Sequence, residues 1–337
     1  MLQEFRDNKH RRWELRDILG HAVEFSADQH GSRFMQHRYE AATADVKQKI
    51  FDEIVPGHVQ QLVQDVFGNY VIQKLFEFGT AAHRAQLMEA VKGSVLSAAL
   101  NMYGCRVIQK AIDFITPEQQ ALFVNELEPH IMRCVKDANG NHVVQKMIER
   151  VPVERLSFIR SFQGNVYELS SHPYGCRVLQ RCLEHIGPGP TRSLLDELQK
   201  YTTELMQDQF GNYVVQFLLE KGEPQDRAAV INKLRGQMLP MARHKFASNV
   251  VEKALVTADS ESRWTLIDEL MRQLPDGTFP IVIMMKDQYA NYVLQRAMTV
   301  AEGQQQQELC NQVRAPLMAM RKVSTVLYSK HLNSSES

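Results

Sequence analysis

The sequence has few of the features that mark secreted, membrane or metal-binding proteins. Its 337 residues include only five cysteines, with no CxxC pair and no clustering with histidine at zinc spacing. No apolar run approaches the ~18 residues that a membrane helix needs. The first residues, 1–13, are charged and have no apolar core like that of a signal peptide. We therefore expect reduced thiols, a cytoplasmic location, no membrane insertion, and no metal or other cofactor.

Net charge and catalytic motifs are also missing. The chain has 39 basic and 39 acidic side chains, so its formal net charge is zero. This balance argues mildly against bulk electrostatic binding of nucleic acid, although it leaves room for a local basic surface. There is no GxxxxGK[ST] motif, and none of the twelve histidines forms an i,i+4 pair beside a glutamate. We expect the chain not to be an enzyme.

What the sequence does contain is an octapeptide frame that occurs eight times. The copies begin at His30, Phe67, Tyr103, Asn139, Tyr174, Phe210, Phe246 and Tyr289. Their third letters are separated by 37, 36, 36, 35, 36, 36 and 43 residues, and such a period is typical of a stacked solenoid. We assign the longer last interval to a loop at Leu274–Pro280, because Pro-Asp-Gly favours a turn.

Each frame is expected to begin a helix. Four residues before the third letter stand Asp28, Asp65, Asn101, Asp137, His172, Asp208, His244 and Asp287. Six of these are Asp or Asn, which favour a helix N-cap. Upstream of each frame lies a second helical pattern, such as Thr116–Val135 with Pro117 at a first helical position. We predict two or three helices per unit, short loops such as Gly187–Pro190, and no strand.

The varying letters of the frame lie on one side of the predicted helix. With the third letter as position zero, positions zero, one and four fall within about 100° of one another, and positions two and three fall opposite. All sixteen residues at positions two and three are apolar, which indicates a buried side. Position zero is Asn, Cys or Ser, and position one is Tyr, Arg, His or Asn. Position four is Gln seven times and Glu once.

The chemistry of the varying side fits single-stranded RNA. A Gln amide has one acceptor and two donors, so it can pair with a base edge, and Tyr, His and Arg planes stack on bases. An ordinary solvated helix face would instead carry scattered Lys, Glu, Ser and Ala. Helices ~8–10 Å apart are spaced more widely than bases stacked at ~3.4 Å. A strand laid across them must open, and a flat side chain between consecutive bases fills the gap.

These frames closely resemble the RNA-binding helices of the Pumilio branch of the PUF family. The resemblance covers all eight copies and implies an all-α, right-handed, crescent-shaped α-solenoid of eight three-helix PUF repeats with capping half-repeats. It implies a single domain over 1–337, with an N-terminal cap at 1–25, repeats at 26–300, a C-terminal cap at 301–330 and a tail at 331–337. Proteins of this family bind one base per repeat, with the RNA strand antiparallel to the chain.

The resemblance also assigns a role to each varying residue. Asn with Gln is expected to bind uracil, and Cys or Ser with Gln adenine; Ser with Glu suits guanine, because a carboxylate accepts from N1–H and N2–H together. The base-edge pairs are Ser32 and Gln36, Asn69 and Gln73, Cys105 and Gln109, Asn141 and Gln145, Cys176 and Gln180, Asn212 and Gln216, Ser248 and Glu252, and Asn291 and Gln295. The stacking residues are Arg33, Tyr70, Arg106, His142, Arg177, Tyr213, Asn249 and Tyr292. The expected target is 5′-UGUAUAUA-3′, with tolerance in its middle.

Three smaller sets of residues complete the prediction. The residue after position four is basic in six frames, at Lys74, Lys110, Lys146, Arg181, Lys253 and Arg296. This basic row fits two interpretations equally well: a strip that contacts phosphate, and an ordinary solvated helix edge. Asn249 is flat but stacks weakly, so the guanine is expected to lean on Tyr292 or Tyr213. Cys134, Cys182 and Cys310 are expected to be core residues or inert.

By resemblance, the chain is expected to be a monomer that binds mRNA 3′ untranslated regions. It would repress translation or promote decay by recruiting protein co-factors, such as a deadenylase complex, on the convex face or at the loop Leu274–Pro280. One alternative is a helical scaffold that holds a protein partner in its groove, which the Gln and Tyr ladder disfavours. Another is a divergent relative that binds structured ribosomal RNA, although such proteins usually have degraded triplets and more repeats.

Overall fold

Short helices form all the regular structure in the described part of the chain. The computed structural model describes residues 1–320 together with 328, 329 and 332; most of the predicted tail and part of the predicted C-terminal cap lie outside the described residues. Within that range no strand occurs, as the repeat pattern predicts. No helix among the described residues is both long and apolar enough to span a bilayer, and no group of His, Cys, Asp and Glu there could hold a metal ion.

Each octapeptide frame lies in an eleven-residue helix, which we call a frame helix. The frame helices of repeats 1 to 8 are Gln29–Tyr39, Gly68–Phe78, Gly104–Phe114, Gly140–Arg150, Gly175–His185, Gly211–Lys221, Ala247–Thr257 and Ala290–Val300. Before them lie a helix at Leu2–Asp7 and a 3-10 turn at Leu15–Ile18.

The residue four positions before position zero caps the start of every frame helix, including the two repeats in which it is histidine. In all eight repeats its side chain accepts hydrogen bonds from the backbone N–H groups two and three residues ahead, at 2.7 to 3.2 Å. His172 and His244 accept through Nδ1. Only Asp28 is the N-cap itself; in repeats 2 to 8 a turn intervenes and the helix begins three residues later.

A short helix, the lead helix, precedes each frame helix and packs against its start. The lead helices are Ala22–Ser26, the second half of Ala44–Val63, Val95–Leu100, Ile131–Val135, Val166–Ser170, Thr202–Met206, Met238–Ala242 and Pro280–Lys286. The approach is close, since a Cβ on Gly104 would lie 2.5 Å from the carbonyl oxygen of Ala98. Backbone packing therefore explains the glycine of this frame.

A third helix, the rear helix, follows the frame helix in seven repeats. The rear helices are the first half of Ala44–Val63, then Ala81–Val91, Pro117–Leu127, Pro188–Lys200, Pro224–Leu234, Ser260–Met271 and Gly303–Ala319. A kink at Pro56 and Gly57, where Gly57 has φ +84°, lets Ala44–Val63 serve two repeats. Repeat 4 has 3-10 segments at Val153–Arg155 and Ser157–Phe162 in place of a rear α-helix.

Two local predictions need correction, and proline explains both. The single helical pattern Thr116–Val135 is divided by a 3-10 turn at Glu128–His130, because Pro129 lacks the N–H that a continuous helix needs. The predicted loop Gly187–Pro190 is instead the start of a rear helix, whose first turn can contain Pro188 and Pro190 since its N–H groups have no intrahelical partner.

The described chain forms two compact units, one over Met1–Phe162 and one from Gln163 onward, and within each unit consecutive frame helices pack against one another. Positions two and three supply the core, as predicted: fifteen of these sixteen side chains are buried. Burying one such side chain stabilises the fold by ~1.5–3 kcal/mol. Phe34 of repeat 1 is only half-buried and lies against Phe5, with ring centroids 5.0 Å apart.

Candidate nucleic-acid interface

The three varying positions of the frame helix have the same order of exposure in seven of the eight repeats. Position one is exposed and position four is half-buried in all eight repeats. Position zero is buried in seven and half-buried at Asn291. The three positions share one side, as predicted, but position zero forms its floor rather than its surface. A flat molecule lying on this side would contact positions one and four most extensively.

Where position zero is Asn, its amide nitrogen is bound to the backbone of its own repeat. Nδ2 of Asn69 donates to the carbonyl oxygens of Asp65 and Val66, at 2.9 and 3.1 Å. The bond to the carbonyl four residues back recurs in all four Asn repeats. Because the nitrogen is fixed by these acceptors, the side-chain oxygen is directed toward position four. The asparagine therefore contributes an acceptor to this surface, and not the second donor that two unconstrained amides would offer.

That oxygen holds the glutamine at position four. Nε2 of Gln73 donates to Oδ1 of Asn69 at 3.0 Å, and the equivalent bond is 2.9 Å long in repeats 4 and 6 and 3.2 Å long in repeat 8. The glutamine keeps its carbonyl oxygen and its second N–H for other partners. Each Asn repeat thus presents an oriented amide with an acceptor and a donor side by side.

The two Cys repeats hold the same glutamine in another way. Gln109 and Gln180 donate to the backbone carbonyl oxygens of Cys105 and Cys176, each at 3.1 Å. The thiols themselves contact carbonyls three residues back, at 3.5 and 3.4 Å. Burial raises the pKa of both thiols, so they stay protonated at neutral pH. A thiol has fewer atoms than an amide, which leaves more room above position zero.

The two Ser repeats differ at position four. Ser32 and Ser248 donate their hydroxyls to carbonyls three residues back, at 3.2 and 3.3 Å. Position four is Gln36 in repeat 1, whereas in repeat 7 it is Glu252, whose carboxylate lies 3.4 Å from Nε of Arg296. A carboxylate only accepts hydrogen bonds, so repeat 7 presents acceptors where the other repeats present an amide.

The side chains at position one are available for stacking. Tyr213 and Tyr292 are each 57% exposed, and Tyr70 is 38% exposed. Nη1 of Arg106 donates to the hydroxyl of Tyr70 at 2.9 Å, so flat groups from adjacent repeats reach each other. A base entering between these two groups has to replace that bond with contacts on both faces, and each such stack contributes roughly 1–3 kcal/mol.

The predicted basic row is paired with carboxylates. Its six contacts are Lys74–Glu77, Lys110–Glu77, Lys146–Asp113, Arg181–Glu184, Lys253–Glu220 and Arg296–Glu252. In the pair Lys146–Asp113, for example, Nζ of the lysine lies 2.9 Å from a carboxylate oxygen of the aspartate. Solvent reaches all of these pairs, although five of the six cations are half-buried, and solvent-accessible ion pairs are each worth only ~0–1 kcal/mol. A phosphate can therefore compete for the cation. Contact of this row with phosphate therefore stays a prediction.

Sequence reasoning missed the acidic partners of the basic row. Four of them, Glu77, Asp113, Glu184 and Glu220, stand eight residues after position zero. The i,i+3 spacing predicts the pairs Lys74–Glu77 and Arg181–Glu184 within one helix. Asp113 and Glu220 instead pair with Lys146 and Lys253 of the next repeat, which only the packing of adjacent helices brings close. The cysteines outside the frame positions are buried as predicted, and burial raises the pKa of Cys134 to about 11.

The chain matches the profile of the Pumilio-family RNA binding repeat in eight segments. They are residues 21–55, 58–92, 94–128, 130–159, 165–199, 201–235, 237–271 and 281–314. Each segment contains one frame helix with the lead helix before it and, in most repeats, the rear helix after it. The first segment begins at residue 21 and the last ends at residue 314, on either side of the span 26–300 expected from the resemblance.

Two curated relatives share about half of the residues in a 97-residue alignment. Pumilio homolog 1 of Xenopus laevis is 50% identical over 97 residues, which are 29% of this chain and 8% of that protein. The mRNA-binding protein puf3 of Schizosaccharomyces pombe is 47% identical over 97 residues, which are 29% of this chain and 13% of that protein. The alignments thus cover a small part of the length of these relatives.

Solved structures match nearly the whole chain. PUF-8 in complex with PBE-RNA has a TM-score of 0.92 and 36% identity, over 98% of this chain and 99% of that chain. The Puf3 RNA binding domain bound to a Cox17 RNA 3′ UTR recognition sequence has a TM-score of 0.87 and 38% identity, over 98% and 99%. These matches confirm the predicted all-α solenoid class. With eight matched repeats and relatives of this similarity, the chain belongs to the Pumilio family of RNA-binding repeat proteins.

Proposed function

We propose that the chain binds single-stranded RNA of the sequence 5′-UGUAUAUA-3′, one base per repeat, in mRNA 3′ untranslated regions. One observation carries the proposal: all eight repeats present an exposed side chain, all but one of a strongly stacking type, beside a half-buried amide or carboxylate and a small polar floor. A surface for a protein partner has no need of this triplet in every repeat. Relatives of similar fold are bound to RNA, one of them to a 3′ UTR recognition sequence.

The Asn repeats suit uracil, which has the donor N3–H between the acceptors O2 and O4. The carbonyl oxygen of the glutamine accepts from N3–H, and its free N–H donates to a neighbouring uracil oxygen. A glutamine by itself pairs equally well with adenine, so the residue at position zero has to determine whether uracil or adenine is bound. In repeat 2, Asn69 binds one N–H of Gln73 and occupies the room that a purine would need.

The Cys repeats suit adenine for the opposite reason. Gln109 and Gln180 are bound to the backbone, and the small thiol leaves space for the larger ring. The glutamine oxygen then accepts from the adenine amino group, while its N–H donates to N1. A buried protonated thiol is a weak partner, so discrimination at these bases depends mainly on size. We expect the middle of the site to tolerate other bases, including at the base bound by Asn141 and Gln145.

Repeat 7 is proposed to bind guanine and to be the most selective repeat. Glu252 accepts from N1–H and N2–H, and a base with an acceptor at that edge would face a carboxylate. Such a mismatch costs on the order of 1–3 kcal/mol or more. Arg296, which belongs to the neighbouring repeat 8, forms an ion pair with the carboxylate of Glu252. Because Asn249 stacks weakly, the guanine leans on Tyr292 or Tyr213.

The proposed biological role is repression or decay of the bound mRNA by a monomeric, cytoplasmic protein. Recruited protein co-factors, such as a deadenylase or repressor complex, would use the convex face that the family resemblance implies or the loop Leu274–Pro280. In the structure this loop is closed by a hydrogen bond from Leu274 N–H to the Thr278 carbonyl, at 2.7 Å, and Phe279 is 39% exposed. An exposed aromatic side chain on a tight loop is a suitable anchor for a protein partner.

Fluorescence anisotropy tests the proposal with 5′-UGUAUAUA-3′ against the same RNA carrying ACA in place of UGU, at fixed near-physiological salt. We expect tight binding of the first and a loss of roughly a hundredfold or more for the second, from mismatches of ~1–3 kcal/mol each. Glu252→Gln serves as the matched variant, and it should prefer adenine at the guanine position. Equal, weak binding of both RNAs would favour the scaffold or the structured-RNA alternative.

A further inference from the structure

Repeat 1 differs from the other repeats at a position that is otherwise constant. Position two is Val in repeats 2 to 8 and is buried in each of them. In repeat 1 it is Phe34, which is only half-buried. The short helix Leu2–Asp7, which has no fully buried residue, lies beside the frame helix of repeat 1. An aromatic ring therefore stays accessible where the interior repeats bury a smaller side chain.

The accessible ring belongs to a cleft of about 710 Å³ between the N-terminal segment and the frame helix of repeat 1. Phe5, Trp13 and Phe34 supply its apolar wall. The Phe5 ring contacts Phe34 at 5.0 Å and Trp13 at 5.5 Å, measured between centroids, so the wall is continuous. A cleft of this size holds a planar ring system the size of a nucleobase.

The rim of the cleft is basic. Lys9, Arg33, His30 and His37 line it and are exposed. The acidic group in the lining, Asp28, forms an ion pair with Arg6 and caps the frame helix, so its charge is offset. Aromatic surface for a base and cations for a phosphate occur together here, which is the combination that binds single-stranded nucleic acid.

The cleft is continuous with the proposed base-binding surface, because Arg33 contributes to both. Arg33 is the position-one residue of repeat 1 and also lines the cleft. We propose that this cleft binds one further nucleotide, which follows the base of repeat 1 in the strand. With the antiparallel polarity of the proposed function, on which this inference rests, that nucleotide lies at the 3′ end of the eight-base site. Its base packs on Phe34 and Phe5, and its phosphate lies near Lys9 or His37.

The amide side chains in the cleft lining, Asn8 and Gln29, do not have the position-zero and position-four spacing of the frames, so we expect base identity to matter little. The presence of a base should matter instead, since every base has a face that stacks. This distinguishes the cleft from the eight repeats, each of which combines stacking with a polar group at the base edge.

Anisotropy with four RNAs tests the inference: the eight-base RNA, and the same RNA with a 3′ adenosine, a 3′ abasic nucleotide or a 5′ adenosine. We expect the 3′ adenosine to tighten binding roughly fivefold or more, and the abasic nucleotide to give only a small part of that gain. Replacing the 3′ adenosine by uridine should preserve most of it. A 3′ adenosine that gives no more than the abasic nucleotide overturns the inference.

Phe34→Val is the decisive variant, because valine is the residue that repeats 2 to 8 carry at this position. The quantity to compare is the ratio of the nine-base to the eight-base affinity within each protein, with thermal unfolding as the check on folding. The ratio should fall to near one in Phe34→Val and fall partly in Lys9→Ala/His37→Ala. An unchanged ratio in Phe34→Val contradicts the inference even if the nine-base RNA binds better. Failure of the eight-base RNA to bind would instead refute the proposed function.

Discussion

The even-numbered repeats and the two Cys repeats, 3 and 5, hold the glutamine at position four by different means. Repeats 2, 4, 6 and 8 have Asn at position zero and an aspartate cap, and their glutamine donates to the asparagine oxygen. Repeats 1, 3, 5 and 7 have Ser or Cys there, and in the Cys repeats the glutamine donates to the backbone. Positions zero and four therefore act as one unit: the first residue fixes where the second is anchored.

The largest expected effect comes from removing the anchor in an even repeat. Asn212→Ala removes the side-chain donor to the carbonyls of Asp208 and Gln209 and the acceptor of Gln216, although the Asp208 carbonyl keeps its bond from the Asn212 backbone N–H. Each buried group left unpaired costs ~1–3 kcal/mol, so we expect a lower free energy of unfolding and a roughly tenfold to hundredfold weaker binding of 5′-UGUAUAUA-3′. Urea unfolding and anisotropy measure the two effects.

Cys176→Ala is the matched control in an odd repeat. It removes one weak thiol contact and leaves the bond between Gln180 and the backbone in place. We expect a small loss of stability and at most about a threefold change in affinity. Equal losses in the two variants would show that the anchors are energetically equivalent and that the comparison has no functional meaning.

Exchanging the anchor should exchange the preferred base. Cys176→Asn gives repeat 5 the side chain that holds glutamine in the even repeats, so Gln180 should move from the backbone to the new amide oxygen. We expect the base bound by repeat 5 to change from adenine to uracil, with a preference of roughly tenfold, or ~1.4 kcal/mol. Competition between RNAs that differ only at that base measures it, with Cys176→Ser as the control that should still favour adenine.

The stacking residues should differ in importance according to their chemistry. Tyr213→Ala removes a 57% exposed ring next to the proposed base and should weaken binding by ~1–3 kcal/mol. Asn249→Ala in the neighbouring repeat removes a small amide and should change affinity by less than about threefold. Anisotropy at one salt concentration compares them. Similar losses would mean that position one acts through something other than its flat surface.

The smallest effect concerns the caps and depends on pH. Burial opposes ionisation of Asp287, but the N–H groups of Ala290 and Tyr289 and the guanidinium of Arg243 outweigh it, so its pKa lies below the ordinary 3.8. Because the folded-state pKa is lowered, this stabilisation is complete above the ordinary pKa and is lost as the pH falls through the folded pKa. Asp287→Asn can keep both cap hydrogen bonds and loses only the charge, so it should lower the free energy of unfolding by ~0.3–1 kcal/mol at neutral pH and reduce its decline in acid.

Urea unfolding between about pH 6 and pH 3 measures that difference. Asn101 is the natural reference, since repeat 3 already has an amide cap that accepts the same two bonds. Asn101→Asp should therefore steepen the acid decline, whereas Asp287→Asn should flatten it. Parallel pH profiles for the two variants and the parent protein would contradict the assigned role of the carboxylate.

Much of the fold was predictable because its signals are local. The period of the frames, the apolar pairs at positions two and three, and the capping residues are all visible in stretches of about a dozen residues. The two errors arose because proline can either interrupt a helix or stand in its first turn, and the sequence pattern does not distinguish these cases. Pro129 divides a helical pattern, whereas Pro188 begins a helix that looks like a loop in the sequence.

The sequence alone determined which residues vary together, since the triplets at positions zero, one and four follow from helical geometry and an eightfold repetition. Only the tertiary structure decided how these triplets are arranged: position zero forms the floor, and the asparagine oxygen holds the glutamine. It also decided that carboxylates of adjacent repeats pair with the basic row and that Phe34 stays accessible beside Phe5. These features depend on burial, on side-chain hydrogen bonds and on residues distant in the sequence that packing brings together. Helical periodicity fixes which side of a helix a residue occupies, but its burial and its partners depend on what packs against that side.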